Sequence, residues 1–501
     1  MKKKLFNSAA SGFIETLVLV GLTFYLTPLI LNELGVEQYG LWILILSILG
    51  FFQVFAIGLP MTIQRSLTIH MTEENHEKVN TVFSCGILLF TAIGGTASLT
   101  LVIVALNSHF ITSSDAEYLT LALLILSVRL FFQFFMMAFY GFFSSLLRFD
   151  IDNNVTAACE IIKALLILVL IQNWKINGLI AALLISDFLG YAIKLYYVKK
   201  IYPNLRFNAS YISKKEILKL LNFSKHVMMS SLVRSINANA DPIIITQIFT
   251  LTSVSFFSIP ARLSAHVSKL ASSIVNISFP VFTRKFAQKD NMDGLFNTIV
   301  CINLSICSFF FLPLLAMSET FIRLWVGEEF KNTAIIVFLL TFASLCQAYG
   351  KPIRDLLLAQ ENHKRFALVD LISVSVNIIF SIIFASYIGL AGVAAGTAIA
   401  FFTTEIVLYS LLLKKYNSIS LKRELTKFAF ANFILFSIGI AISYIIERLE
   451  IVEWHEFLLY ALPVGLISLF ISWSMILNRN LKLIFMNIIT NKLKQGINFS
   501  K

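Results

Sequence analysis

The sequence predicts an all-α polytopic membrane protein of about 14 transmembrane helices, with two pseudo-symmetric six-helix lobes around a central cavity plus a C-terminal helix pair. Three observations carry this expectation. Of 501 residues, 57% are hydrophobic and only 14% are charged, whereas a soluble domain is about 45–50% apolar and about 25% charged. The mean hydropathy is +0.81 and Phe alone occurs 47 times, which leaves too little polar surface to coat a water-soluble particle. Apolar runs of about 20 residues, the length that crosses a bilayer, recur along the whole chain. The same figures exclude a disordered chain, a collagen and a disulfide scaffold.

The candidate spans lie near 10–31, 40–60, 79–106, 118–146, 154–172, 177–198, 224–248 and 252–278, and then near 294–317, 333–350, 366–387, 390–413, 427–446 and 456–476. The first follows three lysines and imitates a secretory signal. It carries Glu15, however, and continues past Pro28 without a small-residue cleavage site, so it reads as an uncleaved span. The seventh and eighth spans are unusually polar. The longest cytoplasmic stretch, 199–223, is rich in Lys and divides the chain into an N-terminal lobe (1–198), a basic linker, a C-terminal lobe (224–415) and a last helix pair with a basic tail (416–501). Basic-polar segments of similar length follow Pro60 and Pro280, which fits two parallel lobes.

The net charge of +12 invites a nucleic-acid reading only in a soluble protein. Here it is accounted for by the excess of Lys and Arg in cytoplasmic loops. With the N-terminus inside, 30 of the 40 cations fall in inner segments and six within spans, while the outer loops hold only Lys175, Arg323, Lys331 and Arg448. Both termini are therefore expected in the cytoplasm. The cysteines Cys85, Cys159, Cys301, Cys307 and Cys346 all fall in apolar runs without a CxxC pair, which suits buried thiols rather than metal or redox work. Outer loops of at most about 16 residues leave no room for an extracytoplasmic catalytic module.

Ionisable groups at membrane depth are costly and usually face a bundle interior or a hydrated cavity. In the eighth span Ser255, Ser258, Arg262, His266, Lys269, Ser273 and Asn276 recur at helical steps of three or four, drawing a polar stripe about 30 Å long. Ser230, Arg234, Asn237 and Asp241 do the same in the seventh span, and Arg129, Gln133, Tyr140 and Ser144 in the fourth. Asp370, Ser373, Asn377 and Ser381 form a stripe in the eleventh. Single Ser or Asn residues read as hydrogen-bonding glue between helices, whereas stripes that hold cations read as cavity walls. Glu160 with Lys163, and Asp187 with Lys194, are spaced to neutralise each other. The cations left over, Arg129, Arg234, Arg262 and Lys269, imply an anionic guest, because Arg grips phosphate bidentately and Lys acts as a point charge. The pattern GxxxxGK[ST] is absent, so an ion gradient is the expected energy source. Glu15 and Asp241 are candidate proton or cation carriers, or alternatively salt-bridge partners of cavity arginines.

Several stretches are also familiar: Leu34-GVEQYGLWILILSILGFF, Ala240-DPIIITQIF, Phe257-SIPARL, Phe321-IRLWVGEEF and Gly389-LAGVAAGTAIA. Together with the span layout they cover most of the chain. The sequence resembles the polysaccharide-transporter branch of the multidrug/oligosaccharidyl-lipid/polysaccharide exporter superfamily, the O-antigen (lipid-linked oligosaccharide) flippases. That resemblance implies a multi-pass protein of the bacterial inner membrane, whose two lobes open a central cavity alternately to each side. It implies a glycan on undecaprenyl pyrophosphate as cargo, ion-coupled antiport, no cofactor and no enzymatic activity. Lipid-linked oligosaccharide and membrane lipid would be its partners, with polysaccharide polymerase machinery a candidate and nucleic acid not. Arg129, Arg234, Arg262 and Lys269 would meet pyrophosphate or acidic sugars, with His266 and Asn237 on the same stripes, and the last two helices would offer a surface for the polyprenyl tail. The Asp-Arg pairing usual in the seventh span reads Asp241-Pro242 here, which removes the cation from the second position.

Physically, sugars and pyrophosphate cannot cross hydrocarbon unaided, whereas the lipid tail can stay in it. Gly389, Gly392 and Gly396 supply the small-residue spacing that close helix packing needs. A multidrug antiporter of the same superfamily would favour acidic rather than cationic stripes. A peptidoglycan-precursor flippase shares the carrier and the charge logic. Asp150-Ile-Asp152 spells the DxD of glycosyltransferases, but it sits in a short loop with no nucleotide-binding domain around it.

Overall fold

The computed structural model describes residues 2–52, 58–112, 115–146, 148–275, 282, 293–360, 363–416, 421–449, 451–477 and 481–482. Every regular element among them is helical. Two compact units divide the chain, Met1–Ser255 and Phe256–Lys501. The first contains α1 (Lys2–Leu34), α2 (Val36–Phe52), α3 (Gly58–Thr72), α4 (His76–Leu106), α5 (Ala116–Ser145), α6 (Phe149–Ile201) and α7 (Lys214–Ile248). The second begins within α8 (Leu251–Val275). It continues through α9 (Asp293–Val326), α10 (Ala334–Ala359), α11 (His363–Ile388) and α12 (Leu390–Phe401) into a π-helix over Phe402–Leu408. It ends with α13 (Tyr409–Tyr416), α14 (Lys422–Arg448) and α15 (Trp454–Ile471).

Ten helices among the described residues are long and apolar enough to cross a membrane. The described residues of the other expected spans are also helical. α2 is apolar but has 17 residues, and α6 carries two expected spans on 53 residues. The polar seventh and eighth spans are α7, of 35 residues, and α8, of 25 residues. α7 begins at Lys214, so its first turns occupy the end of the expected basic linker. The segment that follows Pro280 lies outside the described residues.

Local chemistry sets the boundaries. Asn75 caps α4, its Oδ1 accepting the Lys78 N–H at 3.0 Å, one of the first-turn donors that otherwise lack partners. Glu453 and Glu456 form a reciprocal capping box at the start of α15. Small residues then let the helices close. A Cβ at Gly94 would stand 2.9 Å from Phe134 Cβ, and one at Gly86 would stand 2.7 Å from Ile63 Cδ1, so α4 packs tightly on α5 and on α3. In the second unit Phe296, Val300, Leu304 and Phe311 of α9 pack with Tyr349 and Ile353 of α10 and with Leu435 of α14. Leu458, Leu462, Leu466 and Phe470 of α15 lie at steps of four and are each more than half exposed, an apolar face suited to lipid contact.

One turn occurs in both units. In α6 the chain folds back at Lys175 (φ 46°, ψ −126°). Between α11 and α12 it folds back at Gly389 (φ 63°, ψ −142°). Three residues after each turn stands a glycine that meets the carbonyl of the residue five positions before the turn. A Cβ at Gly178 would lie 2.7 Å from Leu170 O, and one at Gly392 would collide with Phe384 O. Each pair of spans is thus a hairpin with almost no loop, and this is the clearest sign of repetition between the two units.

Candidate functional site

The charged residues of the first unit are arranged differently from the sequence expectation. Arg129 is not an uncompensated cation, because its Nε donates to Asp187 Oδ2 at 2.6 Å and Nη1 reaches Gln133 Oε1 at 3.3 Å. Asp187 therefore does not pair with Lys194, whose Nζ lies 2.7 Å from Asp152 Oδ1 and 3.3 Å from Thr156 Oγ1. The spacing along the chain misled here: residues seven apart can share a face, but Arg129 and Asp152 are nearer across helices. Glu160 and Lys163 do pair, at 2.5 Å, as their one-turn spacing predicts. Both carboxylates of the DxD are engaged as well. Asp150 accepts from Arg148 Nε at 3.0 Å and Nη2 at 3.2 Å, and Asp152 holds Lys194. Glu15 is met by Asn153, whose amide, oriented to satisfy both its ends, donates to Glu15 Oε2 at 3.3 Å and accepts from Ser11 Oγ at 3.1 Å.

α7 carries Asn237 and Asp241, both half-buried, in the turns around Pro242. Arg234 occupies the expected helical position two turns before Asp241, but its side chain lies outside the described residues. On α8, Arg262 and His266 are half-buried and Lys269 is exposed. Arg262 and Lys269 stand near enough to His266 for both charges to act on it, so these three residues share one face over about 10 Å of helix. The stripe does not run as one open wall. Ser255 is fully buried and its Oγ donates to Val36 O at 2.5 Å. Asn276 lies outside the described residues. On the opposite face Ser264 ties α8 to α10 through Val337 O, at 3.1 Å, and Thr341 Oγ1, at 3.2 Å.

The stripe on α11 is glue. Asp370, Ser373, Asn377 and Ser381 are all buried. Asn377 Oδ1 accepts from Ser381 Oγ at 2.9 Å and from Thr397 Oγ1 at 3.0 Å, locking α11 to α12, and Thr404 Oγ1 donates to Ser373 Oγ at 3.3 Å. Where Gly396 meets Ser381, an added Cβ would collide with its backbone.

Sequence reasoning missed one site. Arg354, counted with a cytoplasmic loop, lies inside α10, and its Nη2 donates to Glu405 Oε1 at 2.8 Å. Glu405 sits on the π-helix with 5% of its side chain exposed. The Arg354 guanidinium lies 5.9 Å from the centre of the Tyr409 ring, and the Tyr409 hydroxyl reaches Asp370 Oδ1 at 3.5 Å. Gly350 makes room for this group, since a Cβ there would collide with the Glu405 carboxylate. π-helical turns are rare and often mark functional positions.

A family model described as polysaccharide biosynthesis protein matches residues 7–286, more than half of the chain. The chain belongs to the polysaccharide biosynthesis protein family. Two relatives are similar to it. "Uncharacterized membrane protein EpsK" of Bacillus subtilis is 23% identical over 409 residues, 77% of this chain and 78% of that protein. A Shigella flexneri protein named as an O-antigen transporter is 20% identical over 313 residues, 60% and 71% of the two chains. The fold of this family member matches the lipid II flippase MurJ in an inward closed conformation, with a TM-score of 0.72 at 17% identity over 97% of this chain and 99% of that one. It also matches an inward-facing multidrug resistance MATE transporter of the MOP superfamily, with a TM-score of 0.65 at 16% identity over 83% and 100%. The Shigella flexneri relative is named as a transporter, and the two matched structures as a flippase and a transporter.

Proposed function

We propose that this polysaccharide biosynthesis protein is a flippase that moves undecaprenyl-pyrophosphate-linked oligosaccharide from the cytoplasmic to the outer leaflet by alternating access, driven by an ion gradient. The observation that carries this reading is the family match over residues 7–286, and the O-antigen transporter relative supports it. Arg262, His266 and Lys269 along one face of α8 would hold pyrophosphate or acidic sugars, with Arg234 and Asn237 of α7 as further contacts. Arg129 would act with its charge already offset by Asp187. Asp241 and Glu15 are the proposed ion carriers. The exposed apolar face of α15 would meet the polyprenyl tail. The distribution of Lys and Arg supports an inner-membrane protein with both termini in the cytoplasm.

The test is glycan export in a bacterial host lacking its own flippase. Surface polysaccharide restored only when this gene is present is the expected result. A second reading, a peptidoglycan-precursor flippase, is favoured by the fold match over 97% of the chain, and it would be seen as rescue of a host depleted of its lipid II flippase. Measurable drug efflux without either rescue would favour a multidrug antiporter.

A further inference from the structure

We infer that the end of the first unit formed by the starts of α2 and α5 and the α6 turn holds a saccharide-binding subsite centred on Trp174 and Lys175. It rests on the carbohydrate cargo proposed above. A cavity of about 560 Å³ lies there, lined by Gln38, Asp115, Tyr118, Asn173, Trp174 and Asn177. That volume is within the usual range for small-ligand sites, about 300–1,000 Å³. Asp115 and Tyr118 place it at the α4–α5 end of the 31-residue α4, the end that the distribution of Lys and Arg assigns to the extracytoplasmic side.

The lining is what a pyranose needs. A sugar presents a face of C–H groups and an edge of vicinal hydroxyls that both donate and accept. Trp174 is 57% exposed, so its indole can take the C–H face. Asn173, Asn177 and Gln38 carry amides with donor and acceptor side by side, and Asp115 can accept from two adjacent hydroxyls. Tyr118 is held in the wall by a hydrogen bond that its hydroxyl oxygen accepts from the backbone N–H of Asn177.

The backbone supplies an independent reason. The second unit makes this turn with a glycine, Gly389, whereas the first places Lys175 in the same left-handed region. A side chain is disfavoured there and glycine is not. Strained backbone concentrates at functional sites. Lys175 is also anchored, its Nζ donating to Glu33 O at 2.8 Å and lying 3.2 Å from Glu33 Oε2, which pins the rim of the cavity across to α1. A tryptophan serving only in an interfacial aromatic belt requires neither the amides nor a lysine in a glycine conformation.

The experiment uses the full chain in lipid nanodiscs. The probe is the free oligosaccharide released by mild acid from the lipid-linked pool of the export host, and binding is followed by saturation-transfer NMR titration. Saturable binding is expected for the wild type, weakened about tenfold in Trp174→Ala and in Asn173→Ala and unchanged in Trp454→Ala, an exposed tryptophan of the second unit. Lys175→Gly should keep or raise the melting temperature while weakening binding, a split that damage to the fold does not produce. Wild-type affinity in Asn173→Ala and Lys175→Gly, or no binding to the wild type, overturns the subsite. Export without such binding leaves the flippase reading intact, whereas binding lost in these variants without export of any carrier-linked glycan supports the subsite and removes the flippase reading.

Discussion

Arg354 and Glu405, 51 residues apart, meet at 2.8 Å inside the second unit and join α10 to the π-helix. Removing one partner of a buried pair costs about 3–5 kcal/mol, because the other charge is stranded away from water. Glu405→Gln and Arg354→Met are each expected to lower the apparent melting temperature in detergent. The double variant Arg354→Met/Glu405→Met should recover most of the loss. Melting curves of the three proteins check this, and a double variant that is worse than both singles would show that the pair does not act as a unit.

Glycines should separate by what they face. Gly392→Ala drives a Cβ into the Phe384 carbonyl and is expected to cost about 1–3 kcal/mol, as overpacking does. Gly21→Ala, on α1 with open space around it, should instead stabilise by about 0.5–1 kcal/mol, as removing a mid-helix glycine does. The two melting temperatures should move in opposite directions.

The cations should separate by their partners. Arg262→Ala and Arg234→Ala are expected to cut glycan export about ten- to a hundredfold, the worth of one lost charge-assisted contact of about 1.5–3 kcal/mol, with normal amounts of protein in the membrane. Arg129→Ala should mainly reduce the folded protein, because it strands Asp187, and Arg129→Gln/Asp187→Asn should restore it. Surface glycan normalised to membrane protein measures both effects. Normal export in Arg234→Ala and Arg262→Ala would sink the anionic-guest reading.

Neutralising a coupling carboxylate removes the response to a gradient. Asp241→Asn and Glu15→Gln are each expected to bring gradient-driven transport in vesicles down to the rate seen with an uncoupler. An undiminished response in both variants would rule them out as the carriers.

The sequence displayed whatever depends on neighbours in the chain. Apolar runs located the helices, the polar composition of the seventh and eighth spans foretold the character of α7 and α8, and the spacing of Glu160 and Lys163 foretold their pairing. Hydropathy could not show pairing between helices. Lys351 and Arg354, followed closely by Lys364 and Arg365, look like a basic loop, yet α10 continues to Ala359 and carries Arg354 to Glu405. Arg129 and Asp187 are 58 residues apart, so their contact was equally invisible to any local window. The stripe on α11 holds no cation and its Ser and Asn already read as glue, but only packing showed that the helix they bind is α12.

The hairpins turning at Lys175 and Gly389 also bear on biogenesis. A pair of spans joined by a long hydrophilic connection must have that connection drawn through the hydrocarbon during insertion. Here the turn has almost nothing to translocate, and Gly178 and Gly392 let the two arms touch from their first turns. Each pair can therefore leave the insertion machinery as a preassembled wedge, with its turn leading, and the order of synthesis would deliver one such wedge to each half of the protein.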